Sequence, residues 1–166
     1  MITELHTERL QLRKMKMSDS SSLFTIWSDP EVTTFMNVSC FTDVEQAKEM
    51  IKLLDDLSQD RKAIRFSIIK KESNEIIGSC GYNSLDFDNL KAEIGYDMAK
   101  SSWGRGYASE AVSTLIDHAF SSLKLNRVEA MVDPENVNSI KLLQKLGFTL
   151  EGTFNDLHMY SRSVET

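Results

Sequence analysis

Two glycines flank an arginine in Trp103-Gly104-Arg105-Gly106-Tyr107-Ala108-Ser109-Glu110, directly before the clearest helical pattern of the chain. Upstream of it, Glu93-Ile94-Gly95-Tyr96-Asp97-Met98 belongs to a strand-like stretch. A strand that passes through a glycine-rich turn into a helix makes a particular chemistry available. The first N–H groups of a helix have no intrahelical acceptor, and the helix dipole puts partial positive charge on them. Glycines let a ligand come close to the main chain, so such a turn suits an anion the size of a pyrophosphate. Arg105 is placed to add a charge-assisted contact. The segment is not a GxxxxGK[ST] phosphate loop. It is not a GxGxxG dinucleotide fingerprint either: Ala108-Ser109 follow the second glycine, and the turn comes after the fourth strand of the chain and not the first.

The elements that must position this turn can be read from periodicity. Leu10-Gln11-Leu12-Arg13 alternates as a strand, with His6 in a terminal strand before it. Leu23, Phe24, Ile26 and Trp27 mark a short helix over 19–28, stopped near Asp29-Pro30. Thr42-Asp43-Val44-Glu45 reads as a capping box ahead of a helix over 44–57. Residues 64–70, 76–82 and 92–98 read as a three-stranded meander. Ala108, Ala111, Val112, Leu115, Ile116 and Ala119 repeat at helical spacing up to Leu123, and His118 falls off that stripe, so it is expected at the solvent face. Residues 127–132 form a strand. Residues 137–146 form a helix capped by Asn136 and stopped by Gly147, and strands 148–154 and 157–163 pair across Asn155-Asp156. The order β-α-α-β-β-β-α-β-α-β-β predicts an α/β fold with one mixed sheet, in which strands 92–98 and 127–132 run parallel across a helical crossover.

The whole of residues 1–166 reads as a single domain, without repeats or linkers. The net charge of −6 is spread over both halves, which disfavours sequence-independent nucleic-acid binding and suits a cationic partner such as an amine. Cys40 and Cys80 are too few for a disulfide scaffold and form no CxxC, so free thiols in a reducing compartment are expected. No His, Cys, Asp and Glu spacing suggests a metal. The opening residues carry no apolar targeting core and no stretch is long enough to span a membrane, so the expected location is the cytoplasm.

Taken together, Gly95-Tyr96, the run Trp103 to Ala111 and the run Asn136-Val137-Asn138-Ser139-Ile140-Lys141-Leu142-Leu143-Gln144-Lys145-Leu146-Gly147-Phe148 resemble the acetyl-CoA-dependent GNAT N-acetyltransferases. The opening Thr7-Glu8-Arg9-Leu10-Gln11-Leu12-Arg13 and Asp29-Pro30-Glu31-Val32 are similar to the branch that acetylates ribosomal-protein N-termini. The resemblance covers nearly the whole chain. It implies a mostly antiparallel GNAT sheet in which strands 92–98 and 127–132 splay apart around the cofactor. It also implies that acetyl-CoA is bound by Trp103, Gly104, Arg105, Gly106, Tyr107, Ala108 and Ser109 at its pyrophosphate, and by the main chain near Tyr96 and Met98 and by Asn136 along its pantetheine arm. An N–H near Met98 would polarise the thioester carbonyl. Trp103 stands where the family more often has Gln or Arg.

The implied reaction is direct attack of a primary amine on the acetyl thioester. Many members place a Tyr seven residues after the motif Asn; here that position is Leu143. The ribosomal-protein branch uses a Ser three residues after it, which makes Ser139 the candidate donor to the leaving sulfur. Glu93 aligns with a strand Glu that acts as base through water, and Asp97, on the same face by alternation, is a lesser candidate. A loop Glu of that branch has no counterpart, because Glu151 to His158 runs almost straight into the last strand. Trp27, Phe35, Met36 and Phe41 are implied on the acceptor side. His158 is a weaker candidate than these. The acceptor is expected to be a peptide N-terminus or a small amine, and the protein a monomer or homodimer. The reading from another class is a non-catalytic acyl-CoA-binding or partner-binding domain, motivated by the missing Tyr.

Overall fold

The computed structural model of the chain describes residues 3–36 and 38–164. Eight strands form one sheet in the order β1-β2-β3-β4-β5-β6-β8-β7. They are β1 (Glu4–His6), β2 (Leu10–Lys14), β3 (Ile64–Lys70), β4 (Glu75–Asp86), β5 (Lys91–Met98), β6 (Arg127–Val132), β7 (Thr149–Phe154) and β8 (Leu157–Ser163). The helices are α1 (Ser20–Trp27), α2 (Pro30–Thr33), α3 (Val44–Gln59), α4 (Tyr107–Ser121) and α5 (Val137–Lys145). Every neighbouring pair is antiparallel except β5 and β6, which the α4 crossover makes parallel, as expected. Among the described residues no helix is long and apolar enough to cross a membrane.

The period-2 alternation of the central strands sends side chains to two different layers. One face carries Phe66, Cys80, Ala92, Ile94 and Met98, which pack with Ala111, Val112, Leu115 and Ile116 of α4 and Leu143 of α5 in the main core. Each fully buried aliphatic side chain there contributes about 1.5–3 kcal/mol relative to exposure. The opposite face is polar along one row: Arg13, Ser67, Ser79 and Asp97 are successive cross-strand partners through β2, β3, β4 and β5. Over it, α1, α2 and α3 close a smaller core of Leu23, Ile26, Trp27, Val32, Ala47 and Ile51.

Several local expectations shift. The helix at 44 is capped by Asp43, whose side chain accepts from the Glu45 N–H, with Gln46 reaching back to the Asp43 N–H at 3.1 Å. The box is therefore one residue later than Thr42 and Glu45 suggest. A short helix α2 follows Asp29-Pro30, because Asp29 caps it and proline suits a first helical position. At the far end, Asn155 and Asp156 have φ of 50° and 66°, the left-handed pair that a two-residue hairpin requires.

His118 is a correction: it is buried, 8% exposed, and not at the solvent face. Its ring stacks on Tyr82 with centroids 6.4 Å apart, and the Tyr82 hydroxyl donates to the Leu115 carbonyl at 2.6 Å. Helix α4 contacts β2, β4, β5 and β6, so its buried arc is wider than the apolar stripe shows. Burial holds His118 below its ordinary value of 6.5. The folded state then resists protonation while the unfolded chain accepts it, so this contribution is complete above pH 6.5 and declines as pH falls below it. The fall in Tm between pH 7.5 and about pH 5.5 should be smaller in His118→Asn than in the parent chain, and an equal fall contradicts the assignment.

Candidate functional site

The β5–β6 ladder runs from Lys91 and Arg127 only as far as Ile94 and Ala130. Beyond that point β5 stays paired with β4 through Met98, and β6 stays paired with β8 through Val132. Two parallel strands that keep their outer neighbours but lose each other must diverge, which leaves main-chain groups of residues 95–98 facing a gap. A cavity of about 670 Å3 occupies this region. It is lined by both faces of β5, with Glu93, Gly95 and Asp97 on one and Tyr96 on the other, together with Asn136, Ser139 and Leu143 from α5 and its approach. The cavity thus joins the two layers on either side of the sheet.

On the α5 side, the Tyr96 hydroxyl is hydrogen-bonded to the Ser139 hydroxyl. Asn136 caps α5, its side-chain oxygen accepting from the Ser139 N–H at 3.3 Å, and so fixes the first turn that carries the serine. Burial pushes the Tyr96 phenol above its ordinary value, and the bond to Ser139 offsets only part of this. The pair therefore holds its protons at neutral pH and can donate one. Sequence reasoning assigned Tyr96 only a main-chain role and missed the meeting of its hydroxyl with Ser139 at the cavity. Leu143, where a Tyr was sought, is 2% exposed and packs in the core beside the cavity.

On the opposite side, Glu93 has no cationic partner among the described residues, and its side chain accepts a hydrogen bond from the Asn83 side-chain amide at 3.5 Å. Asp97 differs sharply. It pairs with Arg65 at 3.0 Å, accepts from the Ser79 hydroxyl, and has a side chain only 2% exposed. Its other oxygen has no partner among the described residues. That carboxylate is engaged by Arg65 and Ser79, and removing one partner of such a buried pair costs about 3–5 kcal/mol. Arg65 also donates to Asn83 at 2.8 Å, and its cross-strand partners are Gly81 and then Gly95. A Cβ on Gly95 would lie 2.4 Å from the Asn83 amide nitrogen. The glycine thereby leaves room for the amide that touches Glu93. Sequence reasoning missed Arg65 and Asn83, because nothing local marks them. The outer wall of the cavity is apolar, from Trp27, Phe35, Met36, Phe41, Met50 and Leu54.

Met98 and the run from Trp103 to Ser109 lie outside the cavity lining. The Met98 side chain is buried in the core, and its carbonyl accepts from the Trp103 indole N–H at 2.8 Å, so Trp103 ties the loop back to the end of β5. Gly104 and Gly106 have φ of 73° and 80°, the left-handed region that favours glycine. No main-chain N–H from Gly104 through Ser109 has an acceptor among the described residues. Tyr107 is buried, so only its main chain is available, whereas Arg105 is exposed. A run of free N–H groups at a helix N-terminus suits a pyrophosphate.

Two further residues near the last hairpin lie outside the cavity lining. His158 pairs with Val132 at the end of β6 but does not line the cavity. Glu151 lies in β7, where it is held to about pKa 2 by the Arg127 guanidinium and the Ser161 hydroxyl.

Known proteins add the following. Residues 9–149 match the family model described as acetyltransferase (GNAT) domain. An uncharacterized N-acetyltransferase p20 of Bacillus licheniformis is 57% identical over 152 residues, covering 92% of this chain and 85% of that protein. A ribosomal-protein-serine acetyltransferase of Escherichia coli is 31% identical over 120 residues, covering 66% of each chain. Among solved structures, a ribosomal L7/L12 alpha-N-protein acetyltransferase in complex with coenzyme A superposes with a TM-score of 0.87 at 22% identity, covering 95% of this chain and 96% of that one.

Proposed function

This chain belongs to the GNAT acetyltransferase family, and from that premise we propose that it acetylates a primary amine, in particular a protein or peptide N-terminal α-amine, with acetyl-CoA as donor. The observation that carries the reading is the gap between β5 and β6, flanked by the unpaired carboxylate of Glu93 on one side and the Tyr96–Ser139 hydroxyl pair on the other. The donor brings an acetyl thioester, which an uncharged amine can attack directly. In this reading the free N–H groups of Gly104 to Ser109 hold the pyrophosphate, with Arg105 beside them. Main chain at Tyr96 to Met98 and the side of α5 at Asn136 flank the pantetheine. Glu93 takes the proton released by the amine, through water, and Asn83 holds its carboxylate in place. Ser139, backed by Tyr96, donates a proton to the departing sulfur.

The ribosomal-protein-serine acetyltransferase named above supports a peptide acceptor, and the short β7–β8 connection, although it departs from that branch, is compatible with one. The two-residue turn leaves that side of the cavity without a long covering loop. The apolar wall and the acidic Glu93 equally suit a small amine with an apolar body, which is the second reading.

The test is release of CoA from acetyl-CoA with two acceptor panels. One holds short peptides with free Ala, Ser, Thr or Met termini, and the other polyamines, aminoglycosides and amino acids. Turnover on peptides that disappears when the α-amine is blocked is the expected result. Turnover confined to the small amines overturns the peptide assignment.

A further inference from the structure

Helix α4 carries a carboxylate, Glu110, in its first turn, close to the free N–H groups that would take the pyrophosphate. That charge alone would repel an anion. It is instead fully engaged by the segment between β1 and β2. Glu110 Oε2 accepts from the Thr7 hydroxyl and from the Arg9 N–H at 2.9 Å, and Oε1 accepts from Arg9 Nε at 2.8 Å.

The same arginine then reaches the glycine turn. Its Nη1 donates to the Arg105 carbonyl at 2.8 Å, and its guanidinium carbon lies 4.4 Å from the Tyr107 ring centroid. A Cβ on Gly106 would stand 3.3 Å from Nη2. One side chain therefore contacts the turn and the first helical turn at once.

This contact has a geometric consequence. In a trans peptide the C=O and the following N–H point in opposite directions. Holding the Arg105 carbonyl toward Arg9 therefore aims the Gly106 N–H away from Arg9, where no acceptor among the described residues meets it. With a left-handed glycine on its C-terminal side, the 105–106 peptide has little intrinsic resistance to flipping. The arginine supplies that resistance.

We propose that Arg9, with Thr7 and Glu110, is a positioning device for donor binding: it locks the Arg105–Gly106 peptide in the orientation that presents its N–H to the CoA pyrophosphate and cancels the Glu110 charge beside it. The inference rests on the assignment of the pyrophosphate to Gly104–Ser109. It makes the β1–β2 connection a determinant of donor affinity although it lines no part of the cavity.

The Arg9 and Glu110 side chains are 42% and 21% exposed, so replacing Arg9 leaves both cores intact. The experiment is calorimetric binding of two probes, CoA and pantetheine, the second of which lacks the pyrophosphate. Arg9→Ala should weaken CoA binding about tenfold and leave pantetheine binding within about twofold, because a charge-assisted hydrogen bond to a positioned anion is strong. Arg9→Lys should also weaken CoA, since a point charge cannot serve Glu110 and the Arg105 carbonyl in the same fork. It should melt close to the parent chain. Glu110→Gln combined with Arg9→Ala should regain part of the lost CoA affinity, because the carboxylate left uncancelled by the single change is gone.

Equal losses for both probes would make Arg9 a general stabiliser and overturn the proposal. So would unchanged CoA affinity in a parent chain that prefers CoA over pantetheine. A parent chain that binds the two probes equally would overturn the loop assignment itself, and the positioning role with it.

Discussion

Replacing Glu93 with glutamine is expected to lower kcat on the order of 100-fold at neutral pH, with the KM for acetyl-CoA within about twofold of the parent value. The amide keeps the shape and the contact with Asn83 but cannot accept a proton. An acceptor amine is mostly ammonium at neutral pH, so a base must remove a proton before or during attack. Raising the pH toward the amine's own pKa supplies the neutral nucleophile without help. The deficit of Glu93→Gln should therefore shrink as pH rises. A deficit that is constant from pH 7 to about pH 9.5 would assign Glu93 to structure and not to proton transfer. Asp97→Asn serves as the contrast. It disturbs a buried pair with Arg65, so its effect should appear first in thermal stability.

The second large effect lies across the gap. Ser139→Ala and Tyr96→Phe should each reduce kcat on the order of 100-fold, and the double variant should be little worse than either single one. The two hydroxyls share one hydrogen bond, so removing either breaks the same path to the sulfur. Acetyl-CoA affinity should change little, because the main chain and the Asn136 cap remain. Additive losses would mean that the hydroxyls act separately. Full turnover by Ser139→Ala would remove the serine from the chemistry.

Much of the frame was legible because it is local. The glycines before α4 adopt the left-handed conformation that a tight strand-to-helix turn requires, Asn136 caps α5, and Asn155-Asp156 turns the last hairpin. The parallel pair followed from the strand–helix–strand order. What sequence could not supply are contacts between groups far apart in the chain. Tyr96 meets Ser139, 43 positions away, only because the core under Leu143 and Phe148 brings α5 against β5. Arg9 meets Glu110 because β2 lies against α4. Asp97 alternates onto the same face as Glu93, yet it is spent on Arg65, which reaches it from β3, two strands away in the sheet. His118 was misread for a related reason: a helix packed across four strands buries more of its circumference than its aliphatic residues mark.

In the proposed complex the donor enters the gap between β5 and β6 with its pyrophosphate on the α4 turn. Amide chemical-shift changes on adding CoA to the 15N-labelled chain test this most directly. The largest changes are expected at Gly104 to Ser109 and at Tyr96 to Met98, with smaller ones at Asn136 to Ser139. Changes centred instead on the polar hollow of Lys145, Gly147, Glu151 and Arg162 would contradict it.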